Sequence, residues 1–308
     1  MRDRLFTLIG GGGFLGRYVA QALLATGARV RVAQRDPREA WYLKPLGALG
    51  QTQFVAADIT RPDTIERAIA GADGVVNLVG SFTGNLNRIH VEGPRALAQA
   101  ARNAGVEAMV HVSAIGADPQ AEALYAQTKG AGEAAVRDAF PGATILRPST
   151  VFGREDKFIN MFARMVARLP VVPVLKPNVR FQPVFAGDVG EAVAAVLRDP
   201  ATFAGRTFEL GGPDVLTMLE LQQWIGQQIG RHPSFVPMPD ALGGLLAALP
   251  GAPISRDQWK LLQKDTVVTQ GAEGLQALGI TPTPLAAVAP GWLVQYQRAG
   301  RFARPSEA

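Results

Sequence analysis

Residues 5–16, LFTLIGGGGFLG, constrain the fold more than any other stretch. Five apolar residues run into Gly10, Gly13 and Gly16, spaced three apart, and a helical pattern opens at Phe14 and Leu15. Missing β-carbons let the chain reverse tightly and let backbone approach a ligand. The unpaired N–H groups and dipole of a helix N-terminus favour negative charge there. Strand, glycine spacing and helix start together predict a grip for the pyrophosphate of a dinucleotide.

The first half of the chain repeats this unit. Short β-branched runs at Val30–Ala33, Gln53–Ala57, Val75–Val79, Met109–Val112 and Thr144–Leu146 alternate with helical patterns, the first carried by Leu15, Val19, Ala22 and Leu23 and stopped at Gly27. Such alternation predicts an α/β fold: a doubly wound parallel Rossmann sheet in residues 1–150, with a smaller mixed, mainly helical C-terminal lobe in residues 151–308. Phe181–Phe185 and Thr207–Leu210 still read as strands around a helical Gly187–Leu197. The chain is therefore expected to return to the first sheet over residues 180–212.

Cofactor choice rests on the end of the second strand. Where an acidic side chain would accept the ribose hydroxyls of NAD(H), this chain has Gln34 and Arg35. A guanidinium holds a 2′-phosphate through charge-assisted bonds, so NADP(H) is favoured. NAD(H) stays open if Asp36 reaches the ribose. Asp58 and Ile59, after the third strand, read either as an adenine edge and wall or as a turn. Val79 and Gly80, where the fourth strand ends, join the expected cofactor contacts.

Composition removes whole classes of chemistry. The 308 residues hold no cysteine, which excludes disulfides and thiolates, and the three histidines, His90, His111 and His232, are too scattered to suggest a metal site. A net charge of +5 comes from dispersed basic residues without interleaved aromatics, so no nucleic-acid partner is expected. The N-terminus lacks a signal-like apolar core, and the most apolar run, Ala241–Leu249, is short and broken by Gly243 and Gly244. A cytoplasmic chain without a transmembrane segment is expected, at most peripheral at the inner face of a membrane.

Further motifs carry a family resemblance: Asn77-Leu-Val-Gly80, Tyr125-Ala-Gln-Thr-Lys129 and Leu146-Arg-Pro-Ser-Thr-Val-Phe-Gly153. With the glycine loop they resemble the short-chain dehydrogenase/reductase superfamily, in its extended or atypical branch. Phe152-Gly-Arg-Glu-Asp-Lys-Phe158, Gln182-Pro-Val-Phe-Ala-Gly-Asp188 and Glu209-Leu-Gly-Gly-Pro213 more narrowly resemble the NAD(P)H-binding accessory subunit of respiratory complex I and its bacterial relatives. The resemblance implies that Tyr125 is the general acid/base and that Lys129 binds the nicotinamide ribose and lowers the tyrosine pKa. Ser113 would assist at the reacting oxygen. Yet Ala114 stands where many extended members carry the working hydroxyl, and Ser113 lies close to Tyr125 in sequence, so the triad is expected to be incomplete.

In the second lobe, Phe158, Met161, Phe162, Met165 and Leu169 predict one buried helix face. Asp240–Leu249 and Ser255–Lys264, with Trp259, read as a docking or membrane-surface pair or as ordinary packing. Arg298, Arg301 and Arg304 read as a loose basic tail. Three readings follow: an NADP(H)-binding protein with a structural or redox-sensing role, in complex I or another membrane-associated assembly; an active NADP-dependent reductase, dehydrogenase or epimerase; and a partner-binding module without nucleotide.

Overall fold

The computed structural model describes residues 1–248, 254–298 and 300. The chain divides into two compact units. The first comprises Met1–Pro148, Ala186–Leu210 and Val268–Pro282. Its strands are β1 (Leu5–Ile9), β2 (Arg29–Gln34), β3 (Thr52–Ala56), β4 (Gly74–Asn77), β5 (Ala108–Val112), β6 (Thr144–Pro148) and β11 (Thr207–Leu210), forming one parallel sheet in the order β11-β6-β5-β4-β1-β2-β3. Its helices are α1 (Phe14–Ala25), α2 (Pro62–Ile69), α3 (Gly93–Asn103), α4 (Leu124–Ala139), α6 (Ala186–Arg198) and the short α7 (Pro200–Phe203).

Strands covered on both faces run largely apolar, and β1, β4 and β5 are buried at every position. One core cluster gathers Ile9, Val75 and Met109 from the sheet with Ile65, Leu97 and Val136 from α2, α3 and α4. Between β1 and β4 the strand order reverses, and a doubly wound sheet offers its ligand crevice at the carboxyl ends there. Far along the sheet, Arg147 on β6 pairs with Glu133 of α4 at 2.7 Å and reaches Glu209 of β11 at 3.5 Å. Glu209 also accepts the N–H of Thr269 at 2.8 Å, which ties the third segment of the unit to the sheet edge.

The end of the fourth strand differs from the sequence expectation for a physical reason. The fourth strand stops at Asn77 rather than Val79, because the Asn77 Oδ1 accepts the Val79 N–H at 3.1 Å and turns the chain away from the ladder. The helix before α3 widens into a π turn over Arg88–Glu92. Pro94 has no N–H to give the His90 carbonyl four residues earlier, a standard cause of such widening.

The second unit comprises Ser149–Phe185, Gly211–Val267 and the chain from Thr283. It contains β7 (Val151–Phe152), α5 (Phe158–Arg168), β8 (Val171–Val174), β9 (Arg180–Phe181), β10 (Val184–Phe185), β12 (Leu216–Thr217), α8 (Met218–Gln228), β13 (Ser234–Pro237), α9 (Asp240–Ala248), α10 (Arg256–Leu261), α11 (Leu285–Val288) and α12 (Pro290–Leu293). Residues 181–185 are not one strand of the first sheet. They form β9 and β10, which pair with β12 and β7 in this unit. Pro183 between them has no N–H for a ladder. The buried face of α5 is Ile159, Phe162, Ala163 and Val166, whereas Leu169 is exposed.

Trp259 packs on α9, where a Cβ on Gly243 would come within 2.3 Å of its ring. Leu249, Arg301 and Arg304 lie outside the described residues. Among the described residues, no helix is long and apolar enough to cross a membrane.

Candidate functional site

The glycine turn sits at the strand-order reversal in the first unit. Gly10 has φ +79°, a conformation that suits glycine, and a Cβ there would press within 3.0 Å of Val79 Cγ2. The structure thus brings together Gly10 and Val79 from the ends of β1 and β4. A Cβ on Gly16 would lie 2.1 Å from the Gly11 carbonyl oxygen, so only glycine lets α1 start against the turn. Gly13 is different. It is the N-cap of α1, exposed, and a Cβ would meet only the Gly10 carbonyl at 3.3 Å. No side chain caps α1 and no acid stands in its first turn, which contains Phe14, Leu15 and Gly16. An open glycine, an uncapped helix and no competing carboxylate together fit an anionic diphosphate.

At the end of β2, Gln34 turns back, its Nε2 donating to the Asp36 carbonyl at 2.6 Å. The Asp36 carboxylate caps the following 3₁₀ turn and is gripped by Arg38, whose Nη2 lies at 2.8 Å. Those hydrogen bonds from Arg38 hold Asp36 below the ordinary carboxylate range. The carboxylate that kept NAD(H) open is therefore engaged locally. Arg35 is exposed, and no hydrogen bond or ion pair among the described residues commits it.

After β3, Asp58 makes the tight turn expected of its alternative reading, accepting the Thr60 N–H at 2.9 Å and hydroxyl at 2.8 Å. Burial works to raise its pKa, but those bonds and the charges of Arg35 and Arg61 outweigh it and hold the group low. Ile59 is buried beside it.

Around β4, β5 and α4 lies a polar cluster of which the sequence revealed only part. The Lys129 ammonium is buried, donates to the Val112 carbonyl at 2.9 Å, and would stand 4.0 Å from a Cβ on Gly80. Burial lowers its pKa to about 8, against the opposing pull of Glu133. His90, on the π turn, accepts the Ser81 N–H at Nε2 (3.1 Å), so its Nδ1–H is left to donate to Thr128 Oγ1 at 2.9 Å. Burial and the nearby Lys129 charge push His90 down to about 4, which keeps it neutral.

Asn77 donates to His111 Nδ1 at 3.0 Å, leaving the proton of that neutral ring on Nε2. That Nε2 and the Ser113 Oγ are buried without a hydrogen-bond partner. Orphaned polar atoms of this kind are uncommon in finished cores and mark places where a ligand or water completes the bonding.

Tyr125 departs from the expectation attached to it. Its ring stacks on Phe82 with centroids 4.3 Å apart and meets His90 edge-on at 5.3 Å. Burial pushes the phenol up to about 12, opposite to the lowering that a lysine four residues on was expected to bring. Lys129 points its charge at a carbonyl on β5 instead. Phe82, His90 and His111 were missed as site residues by sequence reasoning, and Asn77 and Thr128 entered only inside quoted motifs, without a role. The one available signal was a polar residue closing the apolar run of β4.

Comparisons with known proteins place the chain in a family. The model of the "NAD dependent epimerase/dehydratase family" matches residues 6–211, which span the glycine turn and the Tyr125–Lys129 pair. The mitochondrial NADH dehydrogenase [ubiquinone] 1 alpha subcomplex subunit 9 of Mus musculus is 35% identical over 293 residues, covering 91% of this chain and 77% of that protein. The ceramide reductase of Caulobacter vibrioides is 31% identical over 260 residues, covering 83% and 78%. Among solved structures, Citrobacter sp. triphenylmethane reductase complexed with NADP(H) shares the fold with a TM-score of 0.76, at 21% identity over 93% of this chain and 99% of that one.

Proposed function

Because the chain belongs to the NAD-dependent epimerase/dehydratase family, we propose that it holds NADP(H) as a stabilising, redox-reporting component and turns it over weakly or not at all. The state of Tyr125 carries this reading. A phenol stacked on Phe82 and pushed up to about 12 is poorly matched to proton transfer near neutral pH. Gly10, Gly13 and Gly16, with the first turn of α1 at Phe14 and Leu15, would hold the diphosphate. Val79, Gly80 and Lys129 would face the nicotinamide half, and Asp58 and Ile59 the adenine. Exposed Arg35, beside an Asp36 already engaged by Arg38, supports NADP(H) over NAD(H).

Bound nicotinamide would supply a hydride-exchanging carbon, and Lys129 would orient it, while neutral His90 braces the Ser81 loop and Phe82 covers Tyr125. Likeness to the complex I subunit supports a place in respiratory complex I or another membrane-associated assembly, peripheral at the inner face of the membrane. A second reading, an active reductase, is favoured by the unpartnered Ser113 Oγ, a hydroxyl ready for a substrate oxygen.

Purifying the chain from its own cells and assaying retained nucleotide, co-purifying proteins and oxidation of NADPH by a metabolite extract tests both. The proposal expects NADPH with respiratory-chain subunits and no turnover sensitive to Tyr125→Phe. Turnover abolished by Tyr125→Phe would install the reductase instead. Arg35→Ala is expected to weaken NADPH about 10- to 100-fold, the range of lost charge-assisted bonds, with NADH unchanged. Equal weakening of both nucleotides in a binding titration would refute the 2′-phosphate role.

A further inference from the structure

The second unit has an open surface depression of ≈ 380 Å³ where α5 ends and β13 is about to begin. Arg168, Leu169 and Pro170 line it from one stretch, and Arg231, His232 and Pro233 from the other. No aspartate or glutamate is among the described lining residues. Arg231 is held in place through its main chain, its N–H donating to the Gly226 carbonyl at 2.9 Å. Its Nε is nevertheless buried without an acceptor. A guanidinium N–H withdrawn from water and left unbonded is costly, and an anionic oxygen is the partner it suits best.

The surface beside the depression is apolar. Ser234 donates to the Pro170 carbonyl at 3.0 Å and starts the parallel pairing of β13 with β8, in which Val236 stands opposite Pro173. That register puts Val236 on the same open face as Val171 and Pro173. Leu169, Val171 and Val236 are 42%, 52% and 44% exposed. Cations at the ends of α5 and α8 suit the helix dipoles, which accounts for each arginine separately. It does not account for two arginines lining one acid-free depression edged by exposed aliphatic side chains.

We propose that this face is a headgroup site for an anionic phospholipid, with Arg168 and Arg231 taking the phosphate and Leu169, Val171 and Val236 resting on the acyl boundary. Charge and apolar surface are adjacent, and two such signals are what stable peripheral attachment needs. The site is independent of the nucleotide reading.

Flotation of the full chain with phosphatidylcholine vesicles, with and without phosphatidylglycerol, tests it. Binding is expected only to the anionic vesicles. Arg168→Gln with Arg231→Gln should lower the partition coefficient about thirtyfold, and the exposed Arg168→Gln alone several-fold. Arg95→Gln with Arg102→Gln, an equal charge loss on exposed positions of α3, should leave it unchanged. The thermal shift given by NADPH should survive in every variant, so failure here and failure of nucleotide binding are read separately. Wild-type protein that ignores anionic vesicles, that binds inorganic phosphate or an acidic protein but no vesicle, or that weakens equally with either arginine pair removed would overturn the proposal.

Discussion

At the scale of single residues, Lys129 is where folding and ligand binding conflict most clearly. An ammonium taken from water and given a carbonyl, with the pull of Glu133 outweighed by burial, destabilises the fold, and the lowering from 10.5 to about 8 records this. Between those values the unfolded chain binds a proton that the folded chain does not, so stability rises with pH across about 8 to 10.5. Lys129→Met is expected to be the more stable protein below pH 8, by up to roughly 3 kcal/mol at about 1.36 kcal/mol per pKa unit. Its advantage should close above that window, while nucleotide affinity falls. Denaturant melts of both proteins from pH 7 to 10.5 check this, and parallel curves would refute it.

Gly16→Ala tests the cradle the same way. A Cβ 2.1 Å from a carbonyl oxygen forces α1 to shift, for an expected loss of about 1–3 kcal/mol together with nucleotide binding. The Tyr125–Lys129 spacing was legible in sequence because a four-residue interval fixes a shared helix side. The pKa of the tyrosine was not, because it depends on Phe82 and on burial contributed by segments remote in the chain.

At the scale of elements, α1 separates holding a fold from holding a ligand. Its N-terminus lacks a cap, and Gly13 has ordinary backbone angles, with the Gly10 carbonyl at 3.3 Å the one atom a Cβ would press on. Gly13→Asp should therefore keep or slightly raise apo stability, by a few tenths of a kcal/mol, while placing a carboxylate where the diphosphate belongs. Melting without ligand and titration with NADPH should move in opposite directions, and a collapse of apo stability would contradict this account of the turn.

The His90 π turn links β4 to α4 through Ser81 and Thr128, and its imidazole is neutral above about 4. Stability from that link is present above pH 6.5 and lost as pH falls through 4. His90→Gln is expected to flatten the acid limb of the stability curve, and an unchanged limb would argue against it. The strands of the first sheet were legible as β-branched runs. Residues 181–185 were misread because their apolar alternation looks the same in either unit, and periodicity does not name the partner strand.

At the scale of the whole molecule, the first unit is assembled from three separate stretches of chain. The return through α6 and β11 had a signature, a helical run before a β-branched one. Residues 268–282 had none, because they contribute a 3₁₀ turn, the Thr269 N–H that donates to the Glu209 carboxylate and the Glu273 carbonyl that accepts the Glu209 N–H. A bound dinucleotide would add its binding free energy to a unit so assembled, about 2.7 kcal/mol at a hundredfold excess over Kd. The most direct measurement is calorimetric titration of the purified chain with NADPH and with NADH, alongside its thermal melt. The account predicts saturable heat with NADPH, a weaker response to NADH, and a melting point raised by about 5–10 °C at that excess. No heat and no shift with either nucleotide at millimolar concentration would contradict it.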